Sequence, residues 1–162
     1  MDGWRDDVEI RTERCTVRRF QEKDIDDFMK YRNDLHWMRY QGFKGLTRQA
    51  YAAELLEARI GADGVQFAVI DNAAGRLIGD IYLKRERHTF RVGCTISPAK
   101  ARQGYAGEVL TAVIGWMKRQ GGVSVKADVL PENTASIGLL EKLGFFCTES
   151  ETKGERTYEL RL

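Results

Sequence analysis

Proline occurs only twice in this chain of 162 residues, as Pro98 and Pro131, and the three cysteines, Cys15, Cys94 and Cys147, share no CxxC or Cys/His spacing. An odd set of scattered thiols fits reduced cysteines better than a disulfide frame or a zinc site, which points to the cytoplasm. No run of residues approaches the roughly 20 apolar positions that a membrane span requires. The opening stretch, "MDGWRDDVEI", is charged where a signal peptide would be apolar. The net charge of +2 is too small for a general nucleic-acid binder. Internal repeats and low-complexity tracts are absent. These absences leave a cytoplasmic protein with no membrane and no nucleic-acid partner.

What is present fits one domain over residues 1–162, long enough to bury a core without covalent staples. Short alternating or β-branched runs predict strands at "CTVRRF", "VQFAVID", "RLIGDIYLK", "TFRVGCTIS" and "VSVKADVL". The short connections "NAAG" and "RERH" make the middle three an antiparallel meander. Helices are expected at "KDIDDFMKYR", with Ile25, Phe28 and Met29 on one face, and at "TRQAYAAELLEARIG". In the second, Thr47 is the N-cap, Ala52, Leu55, Leu56 and Ile60 form the stripe, and Gly61 is the stop. Val109, Leu110, Val113, Ile114 and Met117 mark a buried helix ending near Gly121. "NTASIGLLEKLG" is a short helix with Asn133 as N-cap and Gly144 as its stop, and "FFCTES" and "RTYELRL" close the chain as a hairpin. The result is an α+β domain, a mixed but mostly antiparallel sheet flanked by helices, with one parallel crossover in the middle.

The stretch "SPAKARQGYAGEVL" carries the first chemistry. A strand enters it and a buried helix leaves it, with Gly104 and Ala106 at the junction and Lys100 and Arg102 beside it. The first N–H groups of a helix have no intrahelical partner, and together with the helix dipole they form an anion site. Gly104 removes the Cβ that would hold a phosphate away. Taken alone, the glycine is equally the residue of a tight turn, and Asn133 is equally a plain helix cap.

"QGYAGE" after a strand ending "GCTISP", then "PENTAS" and "LEKLGF" one strand and one helix later, resembles the GNAT superfamily of N-acetyltransferases. The branch most similar is that of the ribosomal-protein N-terminal acetyltransferases, and "YRND" followed by "RYQGF" is similar to that branch's entry segment. The resemblance implies the GNAT acyl-CoA N-acyltransferase fold, and acetyl-CoA as the acyl donor with coenzyme A as product. It implies that the backbone of Arg102, Gln103, Gly104, Tyr105 and Ala106 wraps the diphosphate, and that Cys94, Thr95 and Ile96 lie beside the pantetheine arm. Asn133 would hold the arm and Ser136 would protonate the leaving thiolate. Three positions depart from the family's habits: Ala101 replaces a frequent Gln or Arg, Leu140 a frequent Tyr, and Arg91 a frequent Glu that serves as base.

With that glutamate missing, Asp80 is the best remaining carboxylate for the base, either among apolar neighbours or at an exposed edge, with Glu159 and His88 behind it. The resemblance builds the acceptor mouth from "RNDLHWMRYQGFKG", with Trp37, Tyr40 and Phe43 as an aromatic wall and Asn33 and Asp34 as polar groups. At least one of the three aromatics is expected to pack on the sheet instead. An α-amine with pKa about 8 is roughly a tenth neutral at pH 7, whereas a lysine amine near 10.4 is neutral less than about once in a thousand. A site without a fixed base therefore leans toward a peptide or protein α-amine as acceptor. The alternatives are a small-molecule amine (aminoglycoside, polyamine or amino acid) and an acyl-CoA-binding module without catalysis. The expected assembly is a monomer or a homodimer.

Overall fold

The computed structural model describes residues 8–57 and 64–162. Its strands are β1 (Glu9–Arg11), β2 (Cys15–Arg18), β3 (Val65–Asp71), β4 (Arg76–Glu86), β5 (Thr89–Ile96), β6 (Ser124–Val129), β7 (Phe146–Thr152) and β8 (Glu155–Arg161). Its helices are α1 (Ile25–Arg32), α2 (Arg48–Glu57), α3 (Tyr105–Arg119) and α4 (Thr134–Lys142). The strands form one sheet in the order β1-β2-β3-β4-β5-β6-β8-β7. Every pairing is antiparallel except β5 with β6, which α3 connects as the expected crossover. Among the described residues, no helix is long and apolar enough to cross a membrane.

The period-2 alternation of β3 divides the interior into two layers. Phe67 and Val69 join α3 residues Val109, Leu110, Val113 and Met117 in one apolar cluster. Ala68 and Ile70 join Ile25, Phe28, Tyr31, Tyr51 and Leu55 of α1 and α2 in the other. Phe28 anchors the second layer edge-on to Phe20 and Tyr51, with ring centroids 5.2 Å away in each case. Truncating a ring so enclosed to alanine costs about 3–5 kcal/mol.

Several details differ from the sequence reading. β1 was not expected, and β4 runs on to Glu86 through residues read as turn. On α2, Thr47 Oγ1 does cap the helix by accepting from the Ala50 amide at 3.1 Å, but Tyr51 rather than Ala52 is the buried partner of Leu55. The expected end of that helix at Ile60 and Gly61 lies outside the described residues.

Two features shape the site. β5 and β6 pair only from Thr89–Ser124 to Arg91–Lys126. Beyond that point the β6-facing edge of Val92 to Ile96 has no strand neighbour, and a wedge opens. On the other side of β5, Gly79 brings β4 so close that a Cβ there would run into the Thr95 carbonyl, which fixes this stretch of β5 against its neighbour.

Candidate active site

The junction between β5 and α3 is built as the sequence suggests. Ser97–Lys100 makes a short turn, Arg102 and Gly104 both take positive φ (60° and 81°), and Gly104 is the N-cap of α3. A left-handed residue at this point is natural for glycine and strained for a β-branched side chain. The first bond of the helix runs from Glu108 N to Gly104 O, so among the described residues the amides of Tyr105, Ala106 and Gly107 have no backbone partner, nor do those of Arg102, Gln103 and Gly104. A Cβ built on Gly104 would meet nothing nearer than Arg14 Nη2 at 3.6 Å. The loop is therefore an open, donor-rich cradle whose chemistry fits an anion such as a diphosphate.

A cavity of about 500 Å³ runs from this cradle along β5 to α4, with Lys100, Arg102, Gly104, Thr95, Asn133 and Ser136 in its wall. A second cavity of about 230 Å³ occupies the wedge, between Val92–Cys94 on one side and Asp128 to Leu130 on the other. The two share Tyr40, Gln41, Cys94, Asn133, Ser136 and Leu139. Asn133 Oδ1 caps α4 by accepting from Ser136 N at 3.3 Å; among the described residues neither its Nδ2 amide nor the Ser136 hydroxyl has a partner. Leu140, at the position where the family often has tyrosine, is buried against the second cavity.

The carboxylates sort differently from the sequence reading. Asp80 is only 1% exposed and lines neither cavity. Its Oδ1 accepts from Arg32 Nη2 at 2.7 Å and its Oδ2 from the Tyr31 hydroxyl. Neither exposed nor free, it is half of a buried ion pair. Burial first, then the Asp80 charge, pushes the Tyr31 phenol well above its ordinary range, so its proton stays in place. Arg32 also donates to the Gly42 and Phe43 carbonyls at 3.2 and 3.3 Å, and Thr95 Oγ1 donates to Gln41 Oε1 at 2.5 Å. Through this network the segment before α2 is tied to β5 beside Cys94.

Sequence reasoning missed Asp128 and Glu155, both of which line the second cavity. Asp128 is held by Arg91 Nη1 at 2.8 Å and Thr157 Oγ1 at 2.7 Å. Arg91, the departure in the glutamate slot, thus delivers a carboxylate from the next strand; it also binds Glu86 at 2.7 Å. Glu155 has its pKa raised, by burial first and by the neighbouring Asp128 second. The only local signal was the alternation of "VKADVL", which puts Asp128 on the face of Lys126. That Glu155 reaches the same cavity depends on the β6–β8 register, which joins Val129 to Arg156. Glu159 and His88 line neither cavity.

On the acceptor side, Tyr40 lines both cavities, and Trp37 lines the larger while its Nε1 donates to Ile96 O at 3.0 Å. Phe43 packs into the core 5.3 Å from the Tyr51 ring. Asn33 stands apart from both cavities, with its amide bound to the Tyr51 hydroxyl at 2.5 Å and to Leu46 O at 3.0 Å. Asp34 caps the Trp37 amide at 3.0 Å. The Gln103 side chain turns away toward Ala99 O, leaving only its main chain at the loop.

A wedge beside an open strand edge, continuous with a loop of outward amides, has the shape and the donors to take a long ligand with an anionic end. The family model for the acetyltransferase (GNAT) domain matches residues 14–146, and the chain belongs to that family. It is an acetyl-CoA-dependent N-acetyltransferase. Among relatives, it is 28% identical over 140 residues to the uncharacterised N-acetyltransferase YnaD of Bacillus subtilis (strain 168), covering 85% of this chain and 82% of that one. The fold superposes on a GNAT-family acetyltransferase from Bacillus anthracis with a TM-score of 0.83 at 23% identity, over 95% of this chain and 98% of that one. It also superposes on RimL, the ribosomal L7/L12 α-N-protein acetyltransferase solved with coenzyme A, with a TM-score of 0.80 at 10% identity over 96% and 98%.

Proposed function

We propose that the acceptor is the α-amine of a peptide or protein, and that Ser136 and Glu155 handle the protons of the transfer. The observation that carries this reading is the meeting of the two cavities at Cys94, Asn133 and Ser136, one floored by open amides and the other edged by Asp128 and Glu155.

Acetyl-CoA would supply the acetyl group as a thioester, with coenzyme A released as the free thiol. The amides of Arg102, Gln103, Gly104, Tyr105 and Ala106 hold the diphosphate, with the Lys100 and Arg102 side chains nearby. Cys94, Thr95 and Ile96 lie along the edge of β5 that the pantetheine arm would use as an added strand, with the Ile96 carbonyl already held by Trp37 Nε1. A main-chain N–H of that edge steadies charge developing on the acyl oxygen. Asn133 offers its free Nδ2 to the arm, and Ser136 Oγ donates a proton to the departing sulfur. Glu155 accepts the proton of the amine, while Asp128, locked by Arg91 and Thr157, attracts the incoming ammonium. Trp37 and Tyr40 wall the approach. Asn33 shapes it indirectly, by bonding Tyr51 and Leu46. Asp80 serves as the anchor of Arg32 rather than as the base.

A carboxylate, even a raised one, takes a proton from an α-ammonium of pKa about 8 far more readily than from a lysine ammonium near 10.4. The test is thiol release from acetyl-CoA with matched acceptors: peptides with free N-termini, the same peptides blocked at the N-terminus but carrying lysine, and a set of aminoglycosides, polyamines and amino acids. Release with the free peptides alone is expected. Release with only the small amines overturns the acceptor assignment, and release with none despite coenzyme binding makes the protein a non-catalytic acyl-CoA module.

A further inference from the structure

The cradle has a back wall that comes from the other end of the chain. Arg14, in the turn between β1 and β2, donates from Nε to Glu108 Oε1 at 2.7 Å and from Nη2 to the Gln103 carbonyl at 3.1 Å. Its guanidinium also lies over the Tyr105 ring, 3.9 Å from the centroid. Glu108 Oε2 takes two more bonds from the same turn, from Thr12 Oγ1 at 2.5 Å and from Arg14 N at 2.9 Å. One side chain thus touches residue 103 of the loop, residue 105 of the helix start and the carboxylate one turn on.

This arrangement resolves a conflict of charge. A glutamate in the first turn of α3 suits the positive end of the helix dipole, yet it faces the same end that a diphosphate must approach. One helical turn is about 5.4 Å, inside the Debye length of about 8 Å at physiological salt, so an unpaired carboxylate there would repel the ligand with little screening. Arg14 cancels that charge. Burial alone would raise the Glu108 pKa, but the hydrogen bonds from Thr12 and Arg14 outweigh it and hold the group below its ordinary range, while the bond to Glu108 raises Arg14. Both partners therefore stay ionised across the physiological range.

We propose that Arg14 is a positioning residue for the coenzyme's diphosphate: it fixes the loop through Gln103 O, so that the free amides face outward, and it neutralises Glu108, which would otherwise oppose the anion. The inference rests on the coenzyme reading of the cradle. It acts at the phosphate end: Arg14 Nη2 lies 3.6 Å from where a Cβ on Gly104 would stand, and Arg14 is not among the residues that line the cavities around Cys94 and Ser136.

The experiment titrates coenzyme A and S-acetylpantetheine, which lacks the diphosphate, onto the unmodified protein, Arg14→Met, Glu108→Gln and the double variant, by calorimetry and NMR. Arg14→Met is expected to weaken coenzyme A at least tenfold while leaving S-acetylpantetheine within twofold, a split that general damage to the fold would not produce. Adding Glu108→Gln to Arg14→Met is expected to recover at least threefold of the loss, because the uncancelled carboxylate is gone. Coenzyme A binding to Arg14→Met within twofold of the unmodified protein overturns the proposal, as does equal weakening of both ligands. No recovery in the double variant overturns its electrostatic half. If the unmodified protein fails to bind coenzyme A, the cradle reading itself falls, and this inference with it.

Discussion

Replacing Asp80 by asparagine separates two roles that a buried carboxylate in an enzyme could have. Asp80 and Arg32 are 1% and 3% exposed and joined at 2.7 Å, so the substitution strands the guanidinium charge in the interior. Breaking one side of such a pair costs about 3–5 kcal/mol. For a domain of this length each kcal/mol lowers Tm by about 2–4 °C, so a fall of roughly 6–20 °C is expected by circular dichroism. Arg32 also loses its anchor for the Gly42 and Phe43 carbonyls, so the acceptor KM should rise more than the acetyl-CoA KM. Turnover measured well below the new Tm should survive within about tenfold, whereas loss of a general base removes about 10²–10⁴. The paired variant Arg32→Met/Asp80→Leu should regain much of the lost stability, since apolar replacement of a buried pair is often neutral. Asp80→Asn with an unchanged Tm and no turnover would refute this reasoning and restore Asp80 as the base.

Ser136→Ala should lower kcat by about 10²-fold, the lower end for losing a positioned acid, with coenzyme affinity unchanged in calorimetry. Glu155 acts deprotonated, and its pKa is raised above the ordinary 4.5, so kcat/KM should climb with pH through that raised value, and Glu155→Gln should abolish this acid limb. The same raised value means that its contribution to stability is present at acid pH and lost as pH rises through the folded pKa, so Glu155→Gln should not destabilise the protein at neutral pH. Alkylation followed by mass spectrometry should modify the exposed Cys147 first. Burial pushes the Cys15 thiol up to about 11 and the Cys94 thiol higher still, so both should react slowly, and coenzyme A should protect Cys94 further.

What the sequence makes legible is whatever local chemistry decides. β3 spans Val65–Asp71, the stretch that alternation and flanking turns mark out, and Gly104 takes the left-handed conformation its place before an apolar helix suggests. β1 escapes because three residues with only Ile10 buried carry no period. The charged "RERH" reads as a turn, yet Arg85 and Glu86 stay extended because Phe90 and Thr89 pair with them across the sheet. On α2 Leu55 and Leu56 pack on the core as expected, but Tyr51, fitted between the Phe28 and Phe43 rings, takes the place expected for Ala52. The site divides in the same way. The loop and the Asn133 cap lie within a few residues of their own signals. The pairing of Asp80 with a residue 48 positions away and the convergence of Asp128 with Glu155 exist only after the sheet has assembled.

The central claim is that main-chain donors around Gly104 grip the carrier of the acetyl group. Its most direct test is a calorimetric titration of acetyl-CoA onto the unmodified protein and onto Gly104→Val, which forces a β-branched residue into a φ of 81°. The account predicts saturable one-to-one binding to the first and its loss in the second, with both proteins folded by circular dichroism. A flat titration of the unmodified protein, or equal affinity in the variant, would contradict it.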